Sequence, residues 1–170
     1  MIFNFNLINF MVIDGKTINI VDIMREPTLM ETDATLYDVL KTMIAEKTNS
    51  VLIVDEDKKL QGMINAGTVI ARVVPDYLEG DAIAAHFATE DIFAEEVKKS
   101  KDVPVTEFMN TDINTVGLNA SIMEVAVFAL SKKQIRIPVV DDENKVVGLL
   151  TRTEIKQMIG YYMGIEESFK

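Results

Sequence analysis

The heptad Gly148-Leu149-Leu150-Thr151-Arg152-Thr153-Glu154 and the short apolar run Arg136-Ile137-Pro138-Val139-Val140-Asp141 before it both have counterparts 86 residues upstream. Gly62-Met63-Ile64 aligns with Gly148-Leu149-Leu150, and Val54-Asp55 with Val140-Asp141, at that offset. Moving outward, Ala34-Thr35-Leu36 meets Ala120-Ser121-Ile122, Val39 meets Val125, and Ile44 meets Leu130. Val51 meets Ile137 and Val69 meets Ile155, so the apolar register holds without a gap from Ala34 to Ile70. Upstream, Ile23-Met24 matches Phe108-Met109 after a one-residue slip. Self-similarity at one offset means two copies of a single supersecondary unit.

Each copy reads as strand–helix–strand–strand–helix. Leu29-Met30 and Thr115-Val116 are the short first segments. Leu36, Val39, Leu40, Met43 and Ile44 recur at helical spacing in the first copy, as do Ile122, Val125, Ala126, Ala129 and Leu130 in the second. Val51–Val54 and Ile137–Val140 are short, apolar and largely β-branched, as buried strands are. A charged turn, Asp55 to Lys59 or Asp141 to Lys145, makes each a hairpin with the strand ending at Ile64 or Leu150. The fold class is α+β.

The copies are joined by a stretch too long for a bare loop. Thr89 is placed to cap a helix there, with Glu90 and Asp91 in its first turn and Lys98, Lys99 and Lys101 at its end. Glu95 and Lys99 make a favourable i,i+4 pair, and Asp102-Val103-Pro104 stops the helix. The chain therefore divides into an N-terminal arm (1–19), repeat 1 (20–76), a helical linker (77–103), repeat 2 (104–165) and a tail (166–170). Asp14-Gly15 predicts a tight hairpin in the arm, and Met11 is a second candidate start beside Met1.

Composition narrows the chemistry. The chain has 170 residues, 48% of them hydrophobic, with 27 acidic against 17 basic residues and a formal net charge of −10. Such a chain has no global field for nucleic acid or anionic membranes, though a local basic patch can hold a small anion. No apolar run approaches the roughly 18 residues of a membrane span, so membrane insertion is not expected and a cytoplasmic protein is. There is no cysteine and His86 is the only histidine, which excludes thiolate chemistry and multi-histidine metal sites. No catalytic residue and no metal site is expected. A glycine-rich phosphate loop is also missing.

Thr151 ends a strand, and Glu154 lies three residues on, in the first turn of the next helix. A hydroxyl and a carboxylate so placed can serve a vicinal diol such as a ribose. Thr-x-x-Glu is equally a capping box that only satisfies the helix end. Two neighbours weigh toward a ligand. Lys132, Lys133, Arg136 and Arg152 cluster around the motif, suited to phosphate oxygens, although lysines at a helix C-terminus also serve the dipole. Pro138 opens a strand or sits at an edge, and offers a flat apolar face. Met43, Met109, Met123 and Met158 read as core fillers. Ile155, Met158, Ile159 and Tyr162 form a stripe, part of which packs in the core or against another subunit. His86 reads as a surface or packing residue.

These segments together resemble the cystathionine-β-synthase (CBS) domain, and two in one chain resemble a Bateman module covering about Ile20 to Met163. The resemblance implies pseudo-twofold packing of the repeats, with adenosine-containing ligands bound in clefts between them. Carried over by position, Thr151 and Glu154 would hold the ribose, although the family more often has Asp at the latter. Thr115 and Val116 would line the adenine through backbone groups, and Ile137 and Pro138 would pack on the base. Arg136 and Arg152 are the phosphate candidates on charge alone. In repeat 1, Ser50, Leu52, Asn65 and Thr68 replace Arg136, Pro138, Thr151 and Glu154. Without a carboxylate, that second site (Ser50, Asn65, Thr68) is expected to be weak or empty. The implied protein is non-catalytic and needs no cofactor. It senses an adenine nucleotide or S-adenosylmethionine, forms a homodimer, and acts in trans on an enzyme or transporter. The alternative is a structural dimerisation module with a vestigial cleft.

Overall fold

The computed structural model describes residues 18–130 and 135–165. The arm hairpin around Asp14-Gly15, Lys132 and Lys133 lie outside the described residues. A short helix α1 (Ile20–Ile23) leads into repeat 1: β1 (Leu29–Glu31), α2 (Leu36–Ala45), β2 (Ser50–Val54), β3 (Leu60–Asn65) and α3 (Ala66–Val73). After a 3₁₀ turn (Asp76–Leu78), α4 (Ala82–Phe87) and α5 (Glu90–Ser100) form the connection. A second 3₁₀ turn (Val105–Glu107) precedes repeat 2: β4 (Val116–Gly117), α6 (Ile122–Leu130), β5 (Arg136–Val140), β6 (Val146–Thr151) and α7 (Arg152–Tyr162). No helix among the described residues is long and apolar enough to cross a membrane.

Two three-stranded sheets result, ordered β1-β2-β3 and β4-β5-β6. In each, the first strand is parallel and the third antiparallel to the middle one. The likeness reaches fine detail. Both hairpins carry a register shift at equivalent places, Ile53/Val54 and Val139/Val140. Both turns put a residue in the left-handed region, Lys58 at φ 64° and Asn144 at φ 62°. In both an aspartate oxygen accepts two turn N–H groups, Asp55 from Asp57 and Lys59, Asp141 from Glu143 and Lys145.

Pro138 is the main departure. It lies inside the middle strand of its sheet, not at a start or edge. Its counterpart Leu52 donates its N–H to the Thr28 carbonyl at 2.9 Å, a ladder bond that proline cannot give. Accordingly β4 has 2 residues where β1 has 3.

The segment ahead of each repeat packs into the other repeat. Ile18, Ile20 and Ile23 join Val125, Ile137, Leu150 and Met158 in the core of repeat 2. Val105 sits with Leu36, Val51 and Ile64 in the core of repeat 1, and Phe108 and Met109 pack against it. Arg25 and Leu149 exchange backbone hydrogen bonds of 3.0 and 2.9 Å, as Met63 and Asn110 do at 2.9 and 3.0 Å. Glycine makes room beneath both crossings: a Cβ at Gly148 would displace the Met24 side chain, and one at Gly62 that of Met109. This exchange is the physical meaning of the one-residue slip. A third apolar cluster (Leu52, Val54, Met63, Val146, Leu149) joins the two sheets.

Some helix-face expectations fail at the surface. Ile44 and Leu130, at equivalent ends of α2 and α6, are 75% and 80% exposed, and Met123 is 73% exposed and fills no core. Met43 and Met158 are buried, whereas Ile159 on α7 is exposed. In the connection, α5 follows Thr89, whose carbonyl accepts from Ile92 and Phe93, but its side chain makes no cap bond. Lys99 pairs at 2.7 Å with Glu96, one turn position closer than the expected Glu95.

Candidate functional site

A polar cleft of about 470 Å³ opens between the repeats, within the range of small-molecule sites. Its floor on one side is the N-terminus of α7. Thr151 takes an extended conformation as N-cap, and its hydroxyl accepts from the Thr153 N–H at 3.1 Å. The same hydroxyl and the Thr151 N–H both donate to one Glu154 oxygen at 2.6 Å. The capping box is therefore formed, and it uses Oε2. The other oxygen, Oε1, lies 4.0 Å from Arg25 Nε, in the segment that follows α1. Glu154 is buried, one of the few polar side chains that are.

Cations ring the opening, Arg25, Lys47, Arg136 and Arg152, and Glu26 and Glu46 line it with them. Arg136 is held below the usual arginine range, by burial first and then by the charge of Arg25. Arginine stays protonated regardless, so two like charges stand close together at this end of the cleft, with Glu154 beside Arg25. Arg152 is braced by a hydrogen bond from Nε to the Ala129 carbonyl at 3.2 Å, at the C-terminal end of α6.

The opposite wall comes from repeat 1. Thr28, ahead of β1, donates its hydroxyl to Glu46 Oε2 at 2.6 Å, and the loop from Glu46 to Ser50 completes the wall. Lys47 sits here at φ 52°, in the left-handed region after α2.

Of the residues expected in one site, Arg136, Thr151 and Arg152 line this cleft, with Glu154 directly behind Thr151. Thr115 and Val116 do not: β4 is on the far edge of the sheet from β6, and Val116 is 2% exposed in the core. Ile137 is likewise fully buried in the repeat 2 core, with no side chain to offer a ligand. Pro138 is buried opposite Leu149 on β6. Ser50, assigned from sequence to the second site, lines the same cleft as Thr151. Asn65 and Thr68 instead cap α3, the Asn65 side chain accepting from the Thr68 N–H at 3.1 Å.

Arg25, Thr28 and Lys47 were missed because they belong to repeat 1 by position and reach the site only through the way the repeats face each other. The match of Ile23-Met24 to Phe108-Met109 was the available signal, since the residues after each pair reach across.

Comparison with known proteins agrees with this architecture. The family model of the CBS domain matches residues 12–74 and 105–161, more than half of the chain. The chain belongs to the CBS-domain family. As a tandem CBS protein it is similar to the uncharacterised protein MJ1426 of Methanocaldococcus jannaschii, 24% identical over 160 residues, covering 88% of this chain and 95% of the relative. It is also 22% identical over 135 residues to the choline transport ATP-binding protein OpuBA of Bacillus subtilis, covering 79% of this chain but only 28% of OpuBA. Among solved structures, the AMP complex of CBSX2, a CBS-pair protein from Arabidopsis thaliana, superposes with a TM-score of 0.65 at 19% identity, over 85% of this chain and 98% of that one. That likeness establishes the fold of the CBS pair.

Proposed function

We propose that this CBS pair is a non-catalytic regulatory module of the cytoplasm that binds an adenosine-containing ligand of the AMP, ADP or ATP class between its repeats. The observation that carries the reading is one juxtaposition. The Thr151/Glu154 pair at the head of α7 shares a cleft with Arg25, Arg136 and Arg152, in a chain of net charge −10. The ribose diol would exchange hydrogen bonds with Glu154 and Thr151, while phosphate meets the arginines and the free N–H groups of α7. Thr28 and Ser50, across the cleft, take the base-facing role that sequence gave to Thr115 and Val116. The Asn65/Thr68 end lacks a carboxylate and binds weakly or not at all, so each chain takes one ligand. AMP bound to CBSX2 supports this class of ligand.

The ligand acts through its differential affinity for two arrangements of the repeats, read in trans by an enzyme or transporter. The likeness to a transport ATP-binding protein favours a transporter. The exposed residues Met123, Val127 and Leu130 on α6 and Ile159 on α7 suit a homodimer interface. The same face supports the second reading, a dimerisation module with a vestigial cleft.

Thermal unfolding against AMP, ADP, ATP and S-adenosylmethionine separates the two. A ligand at one hundred times its Kd stabilises by about 2.7 kcal/mol, several degrees at this size. We expect a shift with a nucleotide that is lost in Thr151→Ala/Glu154→Ala and in Arg136→Ser, which copies Ser50. No shift with any of the four at millimolar concentration would leave the dimerisation module.

A further inference from the structure

A second surface lies in the connection between the repeats, away from the nucleotide cleft. Two adjoining hollows of about 350 and 340 Å³ share Val74 and Leu78, and form one groove from Ile70 on α3 to Phe93 on α5. Ile70 is 59% and Phe93 55% exposed. Along the groove, α4 buries none of its 6 residues and contributes Ala85, with Ala88 just after it. So short a helix is marginal on its own propensity. It is held here by Asp81, whose side chain accepts from the Ile83 and Ala84 N–H groups. A hydrophobic groove of this kind suits the apolar face of an amphipathic helix.

Charge identifies the occupant. From residue 75 to 97 the chain has seven Asp or Glu and no Lys or Arg. Glu79 and Glu90 stand on the rims of the two hollows. A twofold contact between two copies of this face would set those carboxylates against each other, and an anionic membrane would be repelled by them. We propose that this groove binds a Lys/Arg-rich amphipathic helix of a different protein. It is the surface through which a partner engages the CBS pair, and it stands whether or not the cleft binds nucleotide.

The test is fluorescence anisotropy with the full chain and three labelled model peptides: an amphipathic Leu/Lys helix, the same pattern in Leu/Glu, and a Ser/Lys peptide of equal charge without an apolar face. The Leu/Lys helix should bind at least about tenfold more tightly than the other two. Ile70→Ser/Phe93→Ser and Glu79→Gln/Glu90→Gln should each weaken it by a similar factor, with the circular dichroism spectrum unchanged, because these side chains line the groove and are exposed. Equal binding of the Ser/Lys peptide would overturn the proposal in favour of diffuse attraction to an acidic protein. So would Leu/Lys binding that neither double variant weakens. Self-association in sedimentation that the Ile70→Ser/Phe93→Ser variant abolishes would assign the groove to a second copy. Co-sedimentation with anionic vesicles lost in that variant would assign it to a membrane.

Discussion

The N-terminus of α3 and the N-terminus of α7 are the same piece of backbone built twice. Each follows the last strand of a hairpin with an extended N-cap residue, and each closes a capping box with the residue three positions on. In repeat 1 the box is Asn65 with Thr68, both neutral; in repeat 2 it is Thr151 with Glu154, a carboxylate held behind Arg25. The strand residue paired with each cap differs in the same direction, Ser50 opposite Asn65 and Arg136 opposite Thr151. A neutral pair suffices to end a strand and start a helix. A carboxylate alone does not set repeat 2 apart, since the Thr35/Asp38 box of α2 has one too; its burial in Glu154 and the neighbouring Arg25 and Arg136 do.

The two repeats are locked into one cooperative unit, which Ile20→Ala tests most severely. Ile20 precedes repeat 1 yet is 1% exposed within the repeat 2 core. Its truncation should cost about 2–5 kcal/mol. Urea unfolding followed by tyrosine fluorescence and by circular dichroism should still give one coincident transition. A separate early loss of repeat 2 would break the picture of interlocked halves.

The difference between the caps is sharpened by Glu154→Gln. The substitution keeps the shape and an acceptor but leaves Arg25 without the buried negative charge beside it. Stability should fall by about 2 kcal/mol, the scale of a hydrogen bond to a charged group, and nucleotide affinity by about tenfold or more. Thr68→Val at the equivalent place in repeat 1 should cost less stability and leave affinity unchanged. Equal effects on affinity from both variants would erase the functional asymmetry.

Much of this was legible in the sequence, and what was not has a common cause. The offset of 86 residues, the hairpins, the helices and the Thr151/Glu154 cap are all local patterns, so their spacing alone reveals them. The placement of Arg25 and Thr28 beside Thr151, and the removal of Thr115 and Val116 from it, depend on how two similar units face each other. That arrangement is set by the cluster of Leu52, Val54, Met63, Val146 and Leu149, whose residues look like ordinary strand interior in either copy. The outward faces of α2 and α6 were misread for a related reason. Apolar residues at helical spacing do not declare whether they meet their own sheet or another chain, and Ile44 and Leu130 are left largely exposed.

Lys47→Gly sets stability against function at the repeat 1 wall. A side chain at φ 52° is in a conformation that favours glycine after a helix end. The substitution should stabilise the chain by about 1 kcal/mol, read as a higher urea midpoint. Nucleotide affinity should fall, because the cleft loses a cation. A variant that gains stability and binds equally well would remove Lys47 from the site.

The smallest effect concerns a capping box away from the cleft, at α2, where no ligand is at issue and the cap acts alone. The Thr35 hydroxyl and N–H both donate to Asp38 Oδ2, at 2.7 and 3.0 Å, and hold its carboxyl below the ordinary value of 3.8, the hydroxyl contributing most. A carboxyl depressed in the folded state adds stability that is fully present above its unfolded pKa. That contribution disappears as the pH falls through the lowered folded value. Thr35→Ala should cost about 1 kcal/mol at neutral pH, and less once the pH is low enough to protonate Asp38 in both states. The gap between wild type and variant should therefore narrow on acidification, while Thr151→Ala, measured alongside, also weakens nucleotide binding. If Thr35→Ala did the same, the distinction between a cap that only ends a helix and a cap that serves a ligand would fail.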